Sequence, residues 1–283
     1  MTLPSLRAAK PTIRLQDVVC PNALWAAWRK VRANGGGPGG DGVTIELFQS
    51  GLESRLAKLA HLLEGGRYHP GPLRFFRIAK PDGRSRQLAV PCVVDRVAQT
   101  AVLQALMPAL DARMAEESFA YRPGRSVAQA LAIARSAIEA GYAWIVDADI
   151  EQFFDSVPHK PLIRELAIWL DDCRLLGLIG LWLRAFAPAG RGLPQGAPLS
   201  PLLANLYLHP LDRILAAAGI RGVRYADDFV LLCLSHGAAE RARRIACGLL
   251  KASGLRLNPS KTSIVHATVG VPFLGEMLLA RVK

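Results

Sequence analysis

Close pairs of cysteine are missing from this 283-residue chain. Cys20, Cys92, Cys173, Cys233 and Cys247 stand singly and are odd in number, which excludes a disulfide framework and a cysteine-based zinc site. They read as reduced core residues of a cytoplasmic protein. Long apolar runs are missing too: the longest, residues 175–183, ends at Arg184, well short of the roughly 20 residues that a membrane span needs. No membrane association is expected. Residues 1–14 carry basic side chains without the apolar stretch of a secretory leader, which argues against export. There is no internal repeat and no low-complexity tail. Acidic residues are in deficit, 23 against 35 Lys and Arg, and the net charge of +12 favours a polyanionic partner.

What is present suffices for one large domain or two small ones with a real core. The segment Asn34-Gly-Gly-Gly-Pro-Gly-Gly-Asp41 reads as a hinge, a loop that hugs nucleic acid, or a plain connector between helical patterns at 25–31 and 45–63. Residues 73–78 and 84–90 look extended around the turn Lys80-Pro-Asp-Gly83, giving a hairpin studded with Arg74, Arg77, Lys80, Arg84 and Arg86. Helices are expected at 93–110, at 127–140 behind the cap Ser126, at 161–170, at 201–217 and at 238–252. A buried strand at 142–146 delivers Asp147 and Asp149, residues 222–234 form a second hairpin, and strands at 261–266 and 271–278 follow. That order matches a split βαβ plan, an α+β domain with helices on one face of a small antiparallel sheet.

Asp227 and Asp228 sit at the polar tip of the hairpin, inside the apolar run 223–234. Two adjacent carboxylates there are costly unless a cation neutralises them. Magnesium prefers carboxylate and phosphate oxygens, so a few aspartates plus substrate oxygens suffice. Asp149 is the natural third ligand, with the carbonyl of Ile150 a further donor. Alone, an Asp-Asp pair is a turn or helix cap in most proteins.

Its company changes that reading. Tyr225-Ala-Asp-Asp-Phe-Val230, Asp147-Ala-Asp-Ile-Glu-Gln-Phe-Phe-Asp155, Arg191-Gly-Leu-Pro-Gln-Gly-Ala-Pro-Leu-Ser-Pro201, Leu257-Asn-Pro-Ser-Lys-Thr262 and Phe273-Leu-Gly275 resemble, in order, the motifs of the reverse transcriptases of the bacterial group II intron type. Upstream, Lys80-Pro-Asp-Gly-Arg-Ser-Arg-Gln-Leu88 and Phe119-Ala-Tyr-Arg-Pro-Gly124 are similar to that family's fingers motifs.

The resemblance implies an RNA-directed DNA polymerase with a right-hand fingers and palm architecture. Residues 1–66 would be an extension with the glycine-rich loop, 67–141 with part of 158–200 the fingers, and 142–283 the palm with primer-grip-like strands. It implies two magnesium ions, with manganese as substitute, on Asp149, Asp227, Asp228 and Ile150, Asp147 being the competing third carboxylate. Lys80 and Arg86 would grip the incoming triphosphate, or Lys80 would be a solvated surface lysine. Phe154 would be the gate that excludes a ribose 2′-hydroxyl, or a core aromatic. Gln195 and Gly196 would contact the nucleotide, Tyr225 the primer terminus, and Lys261 would protonate pyrophosphate or act as a passive countercharge. Arg122, Arg125, Arg221 and Arg224 would together line a channel for template and primer phosphates, or each would be a generic surface arginine.

The partners implied are an RNA template, a DNA or RNA primer and deoxynucleoside triphosphates. Little sequence follows Phe273-Leu-Gly275, so a thumb is expected to be absent or vestigial and supplied by an integrase, another protein or an RNA. The settings that fit are CRISPR spacer acquisition from RNA, another group II-like element, and free-standing antiviral defence. From other classes, a catalytically idle nucleic-acid-binding subunit and an RNA-dependent RNA polymerase remain as alternatives.

Overall fold

The computed structural model describes residues 12–79 and 85–280, with the backbone alone for Arg86. The expected turn at 80–83, the Lys80 side chain and the Arg86 side chain lie outside what is described. Along the chain run α1 (Leu15–Val19), α2 (Pro21–Asn34), α3 (Ile45–Gln49), α4 (Leu52–Glu64), β1 (Arg74–Ala79), β2 (Ser85–Val90), α5 (Val93–Asp111), α6 (Val127–Glu139) and β3 (Trp144–Asp149). Then come α7 (Phe153–Ser156), α8 (His159–Trp169), α9 (Cys173–Phe186), α10 (Ser200–Ala217), β4 (Arg221–Tyr225), β5 (Asp228–Cys233), α11 (His236–Ala252), β6 (Ser263–His266), β7 (Val271–Phe273) and β8 (Glu276–Leu278).

Two compact units result, Met1–Ala112 with His159–Ser200, and Arg113–Pro158 with Pro201–Lys283. These boundaries differ from the expected ones. Among the described residues, 12–66 do not stand apart, because α2, whose Leu24, Ala27, Trp28 and Val31 are buried, packs on α5. Residues 113–141 join the second unit, because Ala130, Leu131, Ala134 and Ile138 of α6 share a core with Val223, Val230 and Leu232.

In the first unit, the helix expected over 45–63 is two helices. Thr44 caps α3 by accepting from the Leu47 amide at 3.2 Å, and Ser50-Gly51 interrupts before α4. The glycine-rich segment is a packed connector. Arg96 donates to the carbonyls of Gly35 and Gly37 at 3.0 and 2.8 Å, and a Cβ on Gly39 would lie 2.4 Å from the Cys92 amide. β1 and β2 pair antiparallel from Arg74↔Val90 to Ala79↔Ser85, as the sequence led us to expect, with β1 exposed throughout. Helix α9 was not expected: Asp172 caps it, accepting from the amides of Arg174 and Leu175, and its apolar stripe Leu175, Leu178, Ile179, Trp182, Leu183 and Phe186 is buried.

The second unit is built on a four-stranded sheet of order β4-β5-β3-β6, every neighbouring pair antiparallel. With helices crossing from β3 to β4 and from β5 to β6, this is the split βαβ topology. Helices cover both faces, not one. Ile145, Val223, Val230 and Leu232 face α6 and the β7–β8 hairpin, whereas Trp144 meets His236 of α11 and Arg224 meets Asp212 of α10. The continuous apolar runs Trp144-Ile145-Val146 and Phe229-Val230-Leu231-Leu232 require it, since successive side chains point to opposite faces.

Ser126 and Gln129 form a capping box at the start of α6, with bonds of 3.2 and 2.8 Å. The strand expected over 271–278 is instead the hairpin β7–β8, turned at Leu274 (φ 52°) and Gly275 (φ 83°). Cysteines depart from expectation as well. Cys92 and Cys233 are buried, but Cys20, Cys173 and Cys247 are exposed. Among the described residues, no helix is long and apolar enough to cross a membrane.

Candidate active site

The strand that carries Asp147 and Asp149 begins two residues later than expected and runs through both, so the carboxylates are strand residues with fixed direction. Asp149 stands directly opposite Asp228 in the β3–β5 register, and Asp147 opposite Val230. The β4–β5 hairpin closes with the pair Tyr225↔Asp228, leaving Ala226 and Asp227 as its two-residue turn. Ala226 has φ of 60°, a conformation that costs an alanine more than a glycine.

Electrostatics mark the spot. Asp228 is exposed as a residue, yet loss of hydration at its carboxyl, joined by the charges of Asp227 and Asp149 and opposed by Lys261, pushes its pKa up to about 6. The Asp147 carboxyl is also raised, first by burial and then by Asp149.

Lys261 places Nζ 3.1 Å from Oδ2 of Asp149. Asn258 adds two bonds, its Nδ2 donating to Oδ2 of Asp149 at 3.2 Å and its amide to the Asp149 carbonyl at 2.8 Å. The bridge Ile150↔Leu257 is made by the Asp149 carbonyl and the Glu151 amide, so it does not use the carbonyl of Ile150. Asn258 was missed as a site residue. Its signal was there in Asn258-Pro-Ser-Lys261, a turn that returns the chain beside β3.

The donor set fits a divalent cation of the magnesium type: carboxylate oxygens on opposed strands, one of them on a carboxyl whose pKa is raised by burial and by the neighbouring carboxylates. Among the described residues, no three carboxylate, imidazole or thiol groups are already drawn into a closed cage.

Phe154 lies five residues beyond Asp149 in α7, half-buried, its ring 5.5 Å from that of the buried Phe153. Tyr225 is half-buried against the core. Two of the four arginines expected on nucleic-acid phosphates are internal. Arg122 donates to the carbonyls of Ala115 and Ser118 at 2.6 and 2.8 Å, and Arg224 is 2 % exposed and paired with Asp212. Arg125 meets Glu116 at 2.5 Å, and Arg221 lies 4.3 Å over the ring of Tyr142.

Gln195 and Gly196 belong to the first unit. The Gln195 carbonyl accepts from the Ala89 amide of β2 at 2.7 Å. Gly196 has φ of 118°, and a Cβ there would meet the Ala89 carbonyl at 2.8 Å. The close approach this glycine permits is to β2.

The model of the family described as "Reverse transcriptase (RNA-dependent DNA polymerase)" matches residues 78–278. Protein YkfC of Escherichia coli (strain K12) is 30 % identical over 97 % of this chain and 86 % of its own length. The group II intron-encoded protein LtrA of Lactococcus lactis subsp. cremoris is 31 % identical over 68 % of this chain, which spans only 33 % of that relative. Among solved structures, telomerase from Candida albicans aligns with a TM-score of 0.55 at 15 % identity, covering 82 % of this chain and 50 % of that one. At that identity the likeness is one of fold.

Proposed function

Since the chain belongs to the reverse transcriptase family and is an RNA-directed DNA polymerase, we propose that it adds deoxynucleotides to a primer on an RNA template by a two-metal mechanism centred on Asp149, Asp227 and Asp228. The observation that carries this reading is the register of Asp149 against Asp228, beside Asp227. Magnesium, or manganese in its place, would be held by those carboxylates and the Ile150 carbonyl, and when bound supplies activation of the primer hydroxyl and charge neutralisation on the triphosphate.

The residues of this chain do the rest. Asn258 orients Asp149 through two hydrogen bonds. Asp147 lies on the same face one pair deeper, and serves the site as a half-buried charge, not as a ligand. Phe154, partly open, is the gate against a ribose hydroxyl. Tyr225 lines the primer terminus. Lys261 is the countercharge to Asp149, a role supported by their ion pair, and it can give a proton to the leaving pyrophosphate once that partner is otherwise engaged. Lys80, Arg86, Gln195 and Gly196 act on the incoming nucleotide, a role that rests on their motifs. The CRISPR-adaptation and defence settings demand the same chemistry and differ in the partner that receives the DNA.

Primer extension on an RNA template with magnesium and deoxynucleotides tests this. Wild type and Asp147→Asn should give product, whereas Asp227→Ala and Asp149→Asn should lose about a thousandfold or more. RNA binding without extension by the wild type would favour the idle-subunit reading, and a preference for ribonucleotides would favour an RNA polymerase.

A further inference from the structure

Arg224 precedes the Tyr225-Ala-Asp-Asp228 turn, and all five of its N–H groups are engaged. Nε donates to Oδ1 of Asp212 at 2.7 Å and Nη2 to Oδ2 at 2.6 Å, a two-pronged pair with both side chains buried. Nη2 also donates to Oγ of Ser118 at 2.8 Å, and Nη1 to Oδ1 of Asn205 at 3.0 Å. The remaining N–H of Nη1 donates to the carbonyl of Ala226 at 3.0 Å. Backbone bonds fix Arg224 further: its amide donates to the Glu117 carbonyl at 2.7 Å, and its carbonyl accepts from the Phe119 amide at 2.9 Å. Asn205 is itself anchored, donating to the Ala120 carbonyl at 2.7 Å.

Four of these five donations end on α10 or on residue 118. One ends on the turn itself, at the residue with φ of 60°, immediately before Asp227. A left-handed alanine persists only where its surroundings over-determine it. A lysine could not reproduce the arrangement, having three rotatable donors and no planar fork.

We infer that Arg224 is the positioning residue of the metal-binding turn: anchored on Asp212, Asn205 and Ser118, it holds the Ala226 carbonyl and thereby sets the carboxylates of Asp227 and Asp228 before a cation arrives. This rests on the two-metal reading and adds the device that preorganises it.

The test is direct Mn2+ binding by the full chain, followed by electron paramagnetic resonance, alongside thermal melting in chelator. Arg224→Lys should bind Mn2+ about tenfold more weakly, the loss of one charge-assisted hydrogen bond. Ser126→Ala removes the cap of α6, a side chain that bonds Gln129 and takes no part in this network, and should lower the melting temperature while leaving the Mn2+ titration unchanged. Equal Mn2+ affinity in folded Arg224→Lys and wild type overturns the proposal, as does a loss of Mn2+ affinity in Ser126→Ala as large as that of Arg224→Lys. Should Arg224→Lys fail to fold, Asn205→Ala, which loosens the partner sharing Nη1, carries the test: weaker Mn2+ binding supports the proposal and unchanged binding overturns it. A wild-type protein that binds no Mn2+ would sink the two-metal reading itself, and this inference with it.

Discussion

Asp228 shows how much one carboxyl can report. Its pKa of about 6 stands above the ordinary 3.8 of an unfolded chain. The stability contributed by its protonated form is therefore complete below about pH 4 and lost as the pH rises through about 6. A divalent cation takes the deprotonated form, so binding below pH 6 must expel a proton. We expect Mn2+ affinity to weaken about tenfold between pH 7 and 5, a step absent from Asp228→Asn. Titrations that superimpose across that interval would contradict it. Phe154 gives a second prediction at this scale. Phe154→Val should raise incorporation of ribonucleotides relative to deoxynucleotides by about tenfold or more with little change in melting temperature, because its ring is only half-buried. An unchanged ratio returns Phe154 to the status of a core aromatic.

Among the elements, the loop before α10 is joined to β2 by a backbone bond, the Ala89 amide donating to the Gln195 carbonyl at 2.7 Å. Gly196 combines φ of 118° with a virtual Cβ 2.8 Å from the Ala89 carbonyl, whereas Gly190 has φ of 76° and open space. Gly196→Ala should cost on the order of 2–3 kcal/mol and Gly190→Ala about 1, read by chemical denaturation. Similar losses would mean that positive φ alone matters and the approach to β2 does not. The capping box of α6 offers a smaller effect, about 1 kcal/mol for Ser126→Ala. Melting curves unchanged by that substitution would show the first turn of α6 to be held by its packing on β4 and β5.

At the level of the whole molecule, the net charge of +12 predicts binding governed by phosphates, not bases. Affinity for RNA should fall on the order of a thousandfold between about 50 and 200 mM salt, equally for unrelated sequences, by fluorescence anisotropy. A shallow slope, or a strong preference between sequences, would contradict it. The internal positions of Arg122 and Arg224 reassign two charges that composition alone counted toward that surface.

Much was legible in the order of residues. The β1–β2 and β4–β5 hairpins and the Ser126 cap follow from turn chemistry and periodicity, both local properties, and the three candidate carboxylates from the family that their motifs resemble. What failed was non-local. Helix α9 was passed over because its apolar stripe has meaning only against a partner. Arg224 looked like any surface arginine until its neighbours 12, 19 and 106 residues away closed around it. Sequence alone determined which groups are available and the short turns that present them. Tertiary structure alone decided which carboxylate faces Asp228 and which arginine is withdrawn from solvent, because strand register and burial are set by residues far apart in the chain.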